Sequence, residues 1–308
     1  MIDHVQLASE IADTTCKRTV ARLADVASQS EIAEFLAVAD DVRPYDSYKV
    51  FSPAAHSLLA KIKARAGVTA CRSFLCSVIA QGVVNTLGSD RFRDLPVRVA
   101  IQQARQLRRI AENTNEEADW LDPDNDLFQK ELGLATMRLY AAGAQLLEIH
   151  SGVPRSLIFR SGAFGALATL GSMLRMGGFR PYFQIHTHQF MLDAFNESGW
   201  EECYRCCSEL YAVHPEVLGM HGASWFYDPA LSVVSPRLGY LRGTPVDGGA
   251  RLFFYEEGGS SISNSLSTSP TRRKLYDEGK YLPKSYMLVW GRREQIAWAR
   301  RSLPVQTA

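Results

Sequence analysis

Through its first 150 residues the chain places apolar side chains at mixed three- and four-residue spacing. That spacing gathers them on one face of a helix, so helices are expected over Ile11 to Val38, Pro53 to Ala66, Val68 to Leu87, Val97 to Asn113 and Asp126 to His150. Breakers separate them: Arg43-Pro44-Tyr45-Asp46, Gly88-Ser89-Asp90, and a polar stretch from Asn115 to Asp126 with Pro123 inside it. The last ends in Asp122-Pro123-Asp124-Asn125-Asp126. It lacks the central Gly and terminal Glu of a calcium loop, and reads as a helix–helix connection carrying an N-cap.

Beyond Ser151-Gly152-Val153-Pro154 the pattern changes to short β-type runs alternating with helices. Strands are expected at Ser156 to Phe159, Tyr182 to Thr187, Val217 to Tyr227, Arg251 to Tyr255 and Ser285 to Trp290. Helices are expected at Asp193 to Val213, Pro236 to Leu241, Pro270 to Asp277 and Arg293 to Ser302. The fold class that follows is α/β (α+β). Residues 1–150 form a helical N-terminal region, and residues 151–308 an α/β domain built on a mixed β-sheet flanked by helices.

Composition narrows the function. The chain has 308 residues, 46% hydrophobic and 22% charged, enough for a substantial core. Lys+Arg total 34 and Asp+Glu 33, a net charge of +1 that supplies no long-range field for nucleic acid or anionic membrane. A local basic patch is expected only around Arg105, Arg108 and Arg109. Apolar runs such as Gly162 to Met176 are interrupted by Gly, Ser and Arg and fall short of a span. With no signal-like segment at Met1-Ile2-Asp3-His4, a cytoplasmic protein acting on a small molecule is expected. The six cysteines fit that compartment as free thiols; Cys203, Cys206 and Cys207 share one helix face and read as buried small hydrophobes.

Four stretches carry candidate chemistry. In His186-Thr187-His188 the imidazoles stand two apart, on one face of a strand; with His221 they form an alternative metal set, although no metal is the leading expectation. His221-Gly222-Ala223-Ser224-Trp225-Phe226-Tyr227-Asp228 is too polar and aromatic for a plain core strand. It reads as a pocket wall, with Ser224, Trp225, Tyr227 and also Arg242 as substrate-binding residues. Arg160-Ser161-Gly162-Ala163-Phe164-Gly165-Ala166 is a small-residue junction that reads as close helix–sheet packing rather than a phosphate loop.

The fourth stretch is Leu275-Tyr276-Asp277-Glu278-Gly279-Lys280-Tyr281, set between the strands at Arg251 to Tyr255 and Ser285 to Trp290. It resembles the end of the GNAT acyltransferase fold, over about 40 residues. The family's Gly-rich phosphate-cradling motif is absent after Val217 to Tyr227, where Pro229-Ala230-Leu231 stands. The resemblance implies acyl transfer from acyl-coenzyme A to a small-molecule amine or hydroxyl, with Tyr276 as general acid toward the departing thiolate. His221 or Asp228 would then take the proton from the acceptor. A metal-dependent hydrolase or oxygenase on His186, His188 and His221 is the alternative enzyme, and a partner-binding protein the non-enzymatic one.

Overall fold

The computed structural model describes residues 13–14, 28–40, 47–49, 52–115 and 117–301. They belong to two compact units, Met1–Glu148 with His188–Phe190, and Ile149–Thr187 with Met191–Ala308. A six-stranded mixed sheet has the order β1-β2-β3-β4-β6-β5, with helices flanking it.

In the first unit α1 covers Gln29–Asp40, α2 Pro53–Leu87, α3 Asp90–Arg93, α4 Val97–Asn113 and α5 Asp126–Ala135. Residues 15–27, which carry most of the first expected helix, lie outside the described residues. Ser52, Ser89 and Asn125 each cap a helix by accepting a backbone N–H, which satisfies donors that have no partner within the helix. α2 is broken at Gly67, whose φ of 83° is open to glycine at little cost, so the two expected helices meet there. This helix has the length and composition of a membrane span. However, 56% of its apolar window is buried inside the protein, and we read it as a core helix. Of the three arginines that could make a local basic patch, Arg105 is exposed, Arg108 pairs with Glu112 at 2.8 Å, and Arg109 turns inward onto Glu131.

The largest departure from the sequence pattern is at residues 136–151. The helix expected to reach His150 stops at Ala135, and the chain forms a hairpin of β1 (Leu139–Ala142) and β2 (Gln145–Ser151), turning at Gly143, where φ is 53°. Every residue of β1 is buried, so no polar alternation marks it, and a short apolar run without period reads equally as helix. Gln103 of α4 ties these pieces together. Its amide donates to Leu134 O at 2.9 Å, and its carbonyl accepts from Ala141 N at 2.8 Å.

The second unit holds α6 (Gly162–Arg175), β3 (Tyr182–His186), α7 (Glu197–Leu210), β4 (Gly219–Ser224), α8 (Leu231–Val234) and α9 (Tyr240–Asp247). It continues with β5 (Arg251–Glu257), α10 (Ser260–Ser267), α11 (Pro270–Asp277), β6 (Lys284–Gly291) and α12 (Arg292–Arg301). Two expectations fail locally. Ser156 to Phe159 lies in a 3-10 helix, Arg155–Ser161, that leads straight into α6, and the long strand to Tyr227 ends at Ser224, where a 3-10 turn begins.

Alternation along β6 sets the layers. Met287 and Val289 pack with Met173 and Tyr182 on one face, and Trp290 stands on the other, 5.2 Å from the ring of Tyr204 and 5.4 Å from that of Trp298. Cys203, Cys206 and Cys207 are buried on α7, as small apolar groups should be. Gly248 lies against the Trp290 indole so closely that a Cβ there would overlap the ring.

Candidate functional site

β3 and β4 are parallel neighbours, with Phe183 opposite Met220 and Gln184 opposite His221. β6 then returns antiparallel between β4 and β5. In open α/β sheets ligands commonly bind beyond the carboxyl ends of the parallel strands. A cleft of about 770 Å³ opens there, bounded by Thr187 after β3 and by Ala223, Ser224 and Trp225 at the end of β4. Ser224 caps the turn that follows, its Oγ accepting from Phe226 N at 3.2 Å, and this turns both Trp225 and Phe226 toward the opening. Phe195 completes an aromatic wall, 5.3 Å from Phe226.

The facing wall comes from β5 and α10. The pairing of β5 with β6 shifts register between Phe254 and Glu256, and both Tyr255 and Glu256 line the cleft. Consecutive residues of a regular strand point to opposite faces; the bulge is what brings these two to one place. Glu256 Oε1 accepts from Ser261 Oγ at 3.0 Å, and Ser261 Oγ lies 2.6 Å from Ser285 Oγ. A carboxylate and two hydroxyls therefore form a continuous hydrogen-bonded chain along the wall.

α11 supplies Arg272, only 2% exposed although it bears a charge. Its guanidinium lies 4.5 Å from the centroid of Trp225 and donates to Ser265 O at 2.9 Å, Ser235 Oγ at 3.1 Å and Thr268 Oγ1 at 2.7 Å. All three acceptors are neutral. Burial, and after it the neighbouring Arg237, lowers the pKa of Arg272, while Tyr281 opposes this. Arg237 is itself exposed at the rim.

The residues expected from sequence divide. Ser224 and Trp225 line the cleft. His221, Tyr227 and Asp228 are buried and do not line it. His221 Nε2 lies 3.3 Å from Ser151 Oγ, and burial, helped by His186, holds its pKa at about 3, so the imidazole is neutral and a poor base. The Asp228 oxygens accept from Ala230 N at 3.0 Å and Lys284 N at 3.1 Å, which ties the start of α8 to the start of β6. Tyr227 is fully buried, and its hydroxyl has no partner among the described residues. Tyr276 is half-buried one turn beyond Arg272, and Arg242 is half-buried on α9; neither lines the cleft.

The alternative metal set does not assemble. His188 belongs to the first unit, where its Nδ1 accepts from Phe190 N at 3.2 Å and its Nε2 lies 3.6 Å from Glu131 Oε1. Among the described residues no group of three or more His, Cys, Asp or Glu is placed to hold an ion.

Sequence reading missed Arg272 and Glu256. Arg272 stands in the run Arg272-Arg273-Lys274, which reads as solvated, yet it shares a helix face with Leu275 and Tyr276, three and four residues on. That spacing was the available signal. For Glu256 there was none, because a bulge leaves no local mark in the pattern. No family model, curated protein or solved structure matches this chain.

Proposed function

We propose that this protein is an acyltransferase-like enzyme that moves an acyl group from a coenzyme A thioester to a small-molecule amine or hydroxyl, with the cleft at the ends of β3 and β4 as its acceptor pocket. The observation that carries the reading is the cleft itself. At the carboxyl ends of β3 and β4 it combines an aromatic wall with a carboxylate–hydroxyl chain, the pairing of a dry surface and a proton acceptor that acyl transfer requires.

In this reading Trp225, Phe226 and Phe195 hold the apolar part of the acceptor and exclude water. An acceptor ammonium loses its proton to Glu256, directly or through Ser285 and Ser261. The freed amine attacks the thioester carbonyl; a C–N bond forms, the nitrogen gives up its second proton as the C–S bond breaks, and the departing thiolate takes a proton, leaving amide and free thiol. The phenol lining the cleft is Tyr255, which in this reading stands in for Tyr276 as donor. The cleft has side-chain hydroxyls and arginines in its wall and no Gly-rich backbone cradle, so the reading assigns it to the acceptor and leaves the coenzyme's phosphates unassigned.

The test is release of free thiol from acyl-coenzyme A esters of several chain lengths in the presence of amines. Thiol release with at least one pair is expected. Glu256→Gln should abolish it while keeping the thermal stabilisation by the ester, about 2.7 kcal/mol at 100 times its dissociation constant. Absence of both thiol release and thermal stabilisation with every ester would overturn the reading.

A further inference from the structure

We infer that Arg272 is the receptor for a substrate carboxylate, so that the small molecule bound in the cleft is a zwitterion of the amino-acid class. The inference rests on the proposed function only for what happens to that molecule; binding itself is measured without turnover.

A guanidinium has five N–H donors in a fixed plane. In Arg272 the Nε donor and one donor on each terminal nitrogen are engaged by Ser265 O, Ser235 Oγ and Thr268 Oγ1. One N–H remains on each terminal nitrogen. Arg272 lines the cleft, and two donors on neighbouring nitrogens match the two oxygens of a carboxylate. Stacking on Trp225 and the three hydrogen bonds hold the plane in place, so the fork is set before any ligand arrives.

Charge selects the same ligand. Arg272 is almost wholly buried, and among the described residues its hydrogen-bond partners are neutral oxygens, with no carboxylate paired to it. A buried cation without a counter-ion is costly, and an anion entering the cleft removes that cost. Arg237 at the rim adds a second positive charge, and Glu256 on the opposite wall adds a negative one. A ligand with a carboxylate and an ammonium meets both signs. A phosphate dianion meets the arginines but is repelled by Glu256.

The experiment measures binding by calorimetry and thermal shift, using the full chain and three probes: free leucine and phenylalanine, their carboxamides, and inorganic phosphate. The free amino acids are expected to bind at least 10-fold more tightly than the amides, with phosphate weaker than either acid. In Arg272→Gln the acid should fall to the level of the amide, and Arg272→Lys, which keeps the charge but not the fork, should fall between. Equal binding of acid and amide by the wild type overturns the inference, whatever the variants do; so does phosphate binding without amino-acid binding. Tight, selective binding of the acids with no thiol release would leave it standing and overturn only the acyl-transfer reading.

Discussion

Arg109 and Arg272 each lay a guanidinium over an aromatic ring, at 4.6 Å from the centroid of Phe190 and 4.5 Å from that of Trp225. Their partners differ. In the first unit Arg109 donates both terminal nitrogens to Glu131, at 2.8 Å each, and its Nε to Gln106 Oε1 at 2.7 Å. Burial, the larger influence, pushes the Glu131 carboxyl up, while the Arg109 fork acts to hold it ionised. There the chain supplies its own counter-ion, and the pair is finished structure. In the second unit the same side chain has only neutral oxygens around it and a cleft in front. A charge the fold compensates holds the fold together, whereas a charge it leaves uncompensated in a cleft is available to a ligand.

Removing one member of the complete pair should do the most damage. Arg109→Met leaves Glu131 buried without its cation, and a loss of about 3–5 kcal/mol in urea unfolding is expected. A loss below about 1 kcal/mol would show that the pair contributes no more than an exposed one.

Acid should act next most strongly, through His188 beside that pair. Burial, then Arg109 and Lys130, lowers its pKa to about 3, while Asp126 opposes them. The unfolded chain takes up this proton near pH 6.5, and the folded protein only near 3. Between those values the folded state binds fewer protons, so stability rises with pH and is lost as pH falls, by up to about 1.4 kcal/mol per unit for this one group. Comparing wild type with His188→Gln between pH 6.5 and 4.5 isolates it; parallel pH profiles would refute the assignment.

The smallest effect is expected at Arg272. Arg272→Met gives up three hydrogen bonds but also relieves an uncompensated buried charge, and a net cost of about 1 kcal/mol follows. A cost as large as that of Arg109→Met would mean that the two arginines are equivalent and the comparison fails.

Legibility followed the same division. α4 appears over Val97–Asn113, as its spacing indicates, and α11 over Pro270–Asp277, as its Ser269 cap indicates, and the break in α2 falls at Gly67. These features are local: a helix face, a capping oxygen and a glycine each act within a few residues. The hairpin after Ala135 was hidden because β1 is buried at every position, which removes the alternation a strand otherwise shows. At the site, the aromatic density around Ser224 and Trp225 marked one wall of the cleft, while His221, Tyr227 and Asp228 from the same stretch turned into the interior.

The sequence alone therefore determined where most helices lie and that the stretch from His221 to Asp228 is no ordinary core strand, since both depend on neighbours along the chain. Tertiary structure decided which charges end up alone. Glu131 meets Arg109 from 22 residues away, and Arg272 meets Ser235 from 37, with no carboxylate paired to it among the described residues. Whether a charge is compensated depends on what the folded chain brings within hydrogen-bonding distance, and no local pattern of residues encodes that.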